Sequence, residues 1–208
     1  SGVPFDAAWS QAFGPENRGK SRVEGRIELS PAFIGAFGIG LPKGLVTGKG
    51  SGVLALDLVE GARTGFRVTS DLKGLRLAIP AVGYAKGPGQ GGTLLVEGTL
   101  GQPAEVTALK LDAAGLKASG TVKMRGDGTL ERASFAPVSL ADWFQGSVDF
   151  NGRGKGKTAG IAVTGGRLDL QKAPFGNAGS GETSDAPLTV ALDHLQAARG
   201  IALTRFDG

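Results

Sequence analysis

The sequence predicts an all-β fold, a long antiparallel sheet with one dry face, accompanied by one to three short helices. Three observations predict it. Between Gly115 and Arg125 the residues alternate without a break. Leu116, Ala118, Gly120, Val122 and Met124 share one face; Lys117, Ser119, Thr121, Lys123 and Arg125 share the other. Successive strand side chains point to opposite faces, so this spacing spells a strand with one apolar and one charged side. The same rhythm recurs along all 208 residues. Finally, the 37 glycines lie mostly between these runs without a collagen-like period, which marks them as turn and bulge residues of many short strands.

The elements follow in order. Residues 6–13 have the make-up of a short helix, capped by Asp6 and stopped by Gly14 and Pro15. Arg22 to Leu29 alternates, with Val23, Gly25, Ile27 and Leu29 on the dry side. Ser30-Pro31 suits a helix start, Ser as N-cap and Pro at the first helical position. It predicts a helix over Pro31–Phe37 that lays Phe33, Ile34 and Phe37 on a sheet as a cap. From Gly48 the pattern is almost wholly β, through Leu54, Leu56 and Leu58, then Phe66 and Val68, then Leu75, Leu77 and Ile79 up to Pro80. Lys86 to Gly92 reads as a loop, and Leu94, Val96 and Leu100 resume the alternation. Leu109 and Leu111 lead into the strand at Leu116, and Gly126-Asp127-Gly128 marks a hairpin. Ala133 and Phe135 follow, with Pro137 as a strand end or edge.

Ser139 to Gln145 fits one helical turn or a bulged corner, and Val148 and Phe150 run into Asn151-Gly152, a type I′ turn signal. Ile161, Val163, Leu168 and Leu170 complete a hairpin. Leu188, Val190, Leu192, Ile201 and Leu203 carry the pattern to the end. At a usual strand length of about five or six residues, roughly a dozen strands result. The stretches 74–80 and 166–174 echo each other loosely and suggest hairpins added serially along one axis. The organisation expected is one segment, 1–208, with a helix-containing opening over 1–45, the main sheet over 46–175, a Gly/Ser/Thr-rich flexible loop over 176–187 and the start of a next unit over 188–208. The opening Ser-Gly and closing Phe-Asp-Gly are expected to be cuts in a longer chain.

Composition narrows the chemistry. The absence of cysteine excludes disulfides, thiolate metal sites and cysteine nucleophiles. His194 is the sole histidine, so it supplies no clustered site and reads as structural. Asp127, Asp142, Asp149 and Asp169 fall in turns or at outward strand positions, where carboxylates solubilise a surface. Gly87, Gly89 and Gly92 match a dinucleotide-binding spacing, but no helix follows to receive a pyrophosphate. Gly154-Lys155-Gly156-Lys157-Thr158 lacks the upstream glycine of a phosphate loop, with Asn151 in its place. The net charge of +4 includes the short cluster Arg153, Lys155 and Lys157. Without stacking aromatics the cluster argues against nucleic acid and fits a solvated loop compatible with lipid headgroups. No stretch approaches the ~20 apolar residues of a membrane span, and no signal peptide precedes Val3. No catalytic constellation emerges, so the reading is non-enzymatic, with no cofactor and no metal.

Alternation alone fits two architectures, a sandwich or barrel with a filled core and an open trough whose apolar interior holds something other than protein. Several segments bear on the choice: Leu29-Ser30-Pro31-Ala32-Phe33-Ile34, Gly40-Leu41-Pro42-Lys43-Gly44, Gly50 to Leu58, Ser70-Asp71-Leu72-Lys73-Gly74-Leu75-Arg76-Leu77-Ala78-Ile79-Pro80, Ala113 to Gly120, Gly165 to Leu170, Pro187 to Asp193 and Gly200 to Thr204. In order and spacing they resemble the AsmA-like superfamily of bacterial envelope proteins, which includes the YhdP and TamB groups, and most closely its YhdP-type region.

The resemblance implies an elongated, curled antiparallel sheet forming a groove or half-barrel with a hydrophobic interior, in the periplasm. It implies a parent protein anchored in the inner membrane, with phospholipid acyl chains held in the groove on their way between the two membranes. By inward parity the expected lining is Leu75, Leu77, Ile79, Leu116, Val122, Met124, Phe135, Val148, Phe150, Leu168 and Leu170. The alternative is a structural or interaction scaffold that supports the outer membrane and offers its strand edges to envelope proteins without binding lipid.

Overall fold

The computed structural model describes residues 6–10, 14, 19–36, 44–174 and 186–208. In chain order the elements are β1 (Asp6–Ser10), β2 (Lys20–Leu29), α1 (Pro31–Ala36), β3 (Val46–Gly48), β4 (Gly50–Val59), β5 (Gly65–Ser70), β6 (Leu75–Ile79), a 3-10 turn (Pro80–Val82), β7 (Tyr84–Lys86), β8 (Gly92–Thr99), β9 (Glu105–Ala113), β10 (Leu116–Met124), β11 (Leu130–Leu140), β12 (Phe144–Asn151), β13 (Gly160–Asp169), β14 (Leu188–Ala198) and β15 (Ile201–Asp207). Twelve strands make one sheet in the order β1-β2-β4-β5-β8-β9-β10-β11-β12-β13-β14-β15; β3, β6 and β7 make a second, small one. The large sheet is curled and open, with β1 and β15 as free edges. The all-β reading therefore holds.

Alternation explains why these segments are strands, and pairing explains how they bend. β2 and β4 pair in unbroken register from Lys20↔Val59 to Leu29↔Gly50. From β8 onward the registers slip, between Glu97 and Gly98, between Phe135 and Val138, and between Gln145 and Ser147. An extra residue on one strand bends it and raises its twist, which curls the sheet. Pro137 sits inside one of these slips, so it neither ends β11 nor marks an edge. Its missing N–H falls where the ladder is already interrupted.

Three further expectations are corrected. Asp6 to Ser10 is a strand on the free edge of β2, with Asp6↔Arg26 and Ser10↔Arg22, and not a helix. A helix this short is marginal by itself, whereas edge pairing satisfies its backbone directly. Asn151-Gly152 is not a two-residue turn, because Asn151 pairs with Gly160 and leaves a loop over 152–159. Gly152 instead extends the ladder, its N–H donating to the Glu131 carbonyl at 2.9 Å. β13 and β14 run parallel, from Ile161↔Leu188 to Asp169↔Gln196, the one departure from antiparallel pairing among the described residues. A parallel step needs a crossover of a dozen or more residues, and 170–187 is long enough to supply it. Residues 188–208 add β14 and β15 to the large sheet. Most of the loop expected over 176–187 lies outside the described residues, as does Phe37.

A cap covers one end of the concave face. α1 begins as its Ser-Pro start predicts, with the Phe33 N–H donating to Ser30 Oγ at 3.3 Å. Phe33 then buries with Ile27 and Leu29 of β2, Leu54, Val68, Ala113 and, from the cap, Leu72, Leu75 and Leu77. A second cluster joins Leu116, Val138, Leu140, Trp143, Phe144, Leu192 and Leu195, with Ile79 and Val82 packed on it. Tyr84 and Leu111 touch both clusters. Tyr84 also donates its hydroxyl to the Ala113 carbonyl at 2.8 Å, tying the small sheet to the large one. The second cluster runs from Leu116 on β10 through β11, β12 and β13 to Leu192 and Leu195 on β14.

Lys86 is 0 % exposed. Its ammonium donates to the carbonyls of Leu72 and Leu75, each at 2.8 Å, and of Gly87 at 3.2 Å. Three donors meet three acceptors, so no buried polar atom is orphaned. Leu72, at a positive φ of 58°, is held in that conformation by this bond and by its own N–H to Ser70 Oγ at 3.0 Å. Burial lowers the Lys86 pKa from 10.5, opposed by the charge of Asp71.

Replacing Lys86 with Met should strand three carbonyls and cost about 2–5 kcal/mol in urea unfolding. Because the folded pKa lies below the unfolded 10.5, the unfolded chain binds more protons in the window between them. Wild-type stability relative to the variant should therefore rise as pH climbs through that window towards 10.5, and a flat difference would contradict the buried-cation assignment.

Candidate functional site

The site is built on strand phase. Every position of β2, β4, β5, β8, β9, β10, β12 and β13 in phase with the two core clusters is uncharged. The opposite phase carries the ion pairs Arg22–Asp57, Arg67–Glu97, Lys117–Asp112 and Arg132–Asp149. A hydrogen bond from Arg132, with a second from Ser134, holds the Asp149 carboxyl below its usual range. The convex wall is thus polar and cross-linked, and the concave wall is apolar across the whole run of strands.

The expected lining residues separate into three groups. Leu75 and Leu77 lie in β6, outside the large sheet, buried among Phe33, Leu54 and Val68; they belong to the cap and face the wall. Ile79 ends the same strand and packs on the second cluster. Leu116 and Leu168 are wall residues at the capped end, in register with Leu140 and Phe144 and packed against the cap. Val122, Met124 and Phe150 form the third group, half-buried and outside both clusters towards the uncapped end, joined to the core through Phe135 and Val148, which are half-buried and pack on the second cluster. They adjoin through Gly120↔Phe135, Val122↔Ala133, Phe135↔Val148 and Ala133↔Phe150. Phe135 and Phe150 meet edge to face, with centroids 6.0 Å apart. Leu170 belongs to none of these, since it falls one residue beyond β13 and is 38 % exposed.

The same apolar level continues through residues the parity argument left out. Ile161 and Val163 lie across from Phe150 and Val148, and on the other flank Leu109 lies across from Gly120. Their alternation was legible; only their grouping needed the register. Lys86 was the opposite case, because nothing about a lysine before Gly-Pro-Gly announces a buried cation.

Two glycines shape this wall. A Cβ on Gly98 would run into the Glu105 carbonyl and the Phe66 ring, and one on Gly120 into the Ser134 carbonyl and the Phe135 ring. Each aromatic lies over a bare backbone on the neighbouring strand, which permits a large side chain inside a tightly curled sheet.

The two recesses described on the molecule are polar-rimmed. One, about 180 Å³, lies among Asp142, Arg167, Leu168, Asp169, Lys172, His194 and Gln196. Lys172 pairs with Asp142, lowering the pKa of that carboxyl and raising its own, so the exposed His194 gains no partner for acid–base work from either. The other, about 280 Å³, lies over the β10 register slip between Thr93, Lys110, Asp112, Lys117, Ser119 and Pro137. Among the described residues no group of three His, Asp or Glu side chains could hold a metal ion, and no helix is long and apolar enough to cross a membrane.

Substituting Gly120 with Ala should cost about 1–3 kcal/mol and displace the Phe135 ring, which a lost aromatic coupling between Phe135 and Phe150 in NMR spectra would report. The comparisons with known proteins add no relative, since no family model, no curated protein and no solved structure matches the chain.

Proposed function

We propose that this chain is a non-enzymatic lipid-holding segment, whose concave face carries phospholipid acyl chains in the periplasm between the inner and outer membranes. One observation carries the reading. The concave face is free of charge along its length, yet its own cap covers only one end and leaves Val122, Met124 and Phe150 half-buried and outside both core clusters at the other. An acyl chain laid there gains about 0.8 kcal/mol per methylene removed from water, without any directed polar contact. Such binding is spread out and indifferent to chain position, which suits a surface along which lipid slides. The likeness of the segments Ser70–Pro80 and Gly165–Leu170 to the AsmA-like region points the same way.

A scaffold reading draws on a different feature. β15 is a free edge with Ile201 and Leu203 exposed at 57 % and 44 %, and exposed apolar edges recruit further strands.

The two readings diverge on one substitution. Leu168 is a poor probe, because its packing on the core would unfold the domain when charged. Phe150→Asp lies at the uncapped end and should leave the fold largely intact. Native mass spectrometry of gently extracted protein should find phospholipid on the wild type and at least tenfold less on Phe150→Asp. A lipid-free wild type, or equal loading of both, would overturn the lipid reading.

A further inference from the structure

The half-buried apolar patch ends at a basic rim. The β10–β11 hairpin and the loop over 152–159 close the same end of the sheet, just beyond the pairs Met124↔Leu130 and Asn151↔Gly160. Arg125 binds the two together, its guanidinium donating to the Leu130 carbonyl at 2.6 Å and to the Gly152 carbonyl at 2.8 Å. Over 123–132 and 152–159 six basic residues stand against the two acids Asp127 and Glu131. Asp127 is engaged within its own turn, accepting from the Thr129 N–H at 2.9 Å and its hydroxyl at 2.7 Å. Arg132 is taken up by Asp149. Lys155 and Lys157 are exposed and enter no ion pair among the described residues. The capped end differs, because there Lys172 and Asp142 neutralise each other beside Arg167 and Asp169.

We propose that this rim receives the anionic headgroup of a lipid whose chains lie on the patch, so that the site selects acidic over zwitterionic phospholipid. The inference rests on the groove reading and adds the substrate class to it. Phe150 and Ile161 are the last inward residues before the loop, so a chain on the patch ends where the lysines begin. Their flexible stems let the two ammonium groups follow a headgroup phosphate without a fixed pocket. A net negative head is favoured for its charge, and the preference must fade as salt screens it.

The test uses the whole chain and two fluorescent lipids with identical acyl chains, phosphatidylglycerol and phosphatidylcholine, offered in vesicles at low and high salt. Phosphatidylglycerol should bind about tenfold more tightly at low salt, and the gap should narrow at high salt. Lys155→Glu combined with Lys157→Glu should close the gap by weakening phosphatidylglycerol, while phosphatidylcholine, whose choline offsets its phosphate, should weaken far less. Equal binding of the two lipids by the wild type, or a gap that survives the double reversal, overturns headgroup selection and leaves the groove reading standing. Failure to bind either lipid overturns both. Inorganic phosphate, added alone at millimolar concentration, should not displace phosphatidylglycerol; displacement would show a site for free anions and overturn the proposal.

Discussion

The buried ammonium of Lys86 is the constraint that holds together the cap of the concave face. A curled sheet with one apolar face must cover that face or leave it to a guest. Here the cover is local: α1, the small sheet and the 3-10 turn pack on the end of the long strands where Leu29, Ala113, Leu116 and Leu140 lie. The hairpin-like connection from Leu72 to Gly87 that forms this cover turns its carbonyls inward, and Lys86 meets three of them. The same lysine therefore satisfies the inward carbonyls of the cap and holds its two ends together.

Curvature is the second condition. The register slips from β8 to β13 bend the strands, and the glycines beneath Phe66 and Phe135 let aromatic side chains lie flat inside the bend. The convex wall answers with ion pairs between neighbouring strands. Each of these is worth little by itself at such exposure, and together they keep that wall wet.

Local features were legible in the sequence because their causes are local. Ser30-Pro31 announced α1 through its own hydroxyl and ring, and Gly126-Asp127-Gly128 announced the β10–β11 hairpin. The strand at 116–124 was legible from parity alone. Features that depend on a distant partner were not. Asp6 to Ser10 is a strand only because β2 offers an edge, and Asn151-Gly152 continues a ladder only because Glu131 and Arg125 engage Gly152. Leu75 and Leu77 have the same alternation as the wall residues they face, so parity could not assign them to the cap.

The sequence by itself determined the class of the fold and which side of each strand is apolar, because side-chain alternation is a property of the extended backbone. Tertiary structure alone decided which part of that apolar side is filled by protein, because filling depends on which segments return across the sheet. It also decided where charge gathers. Lys123, Arg125, Lys155 and Lys157 lie far apart along the chain and share one rim only when β10, β11, β12 and β13 stand side by side.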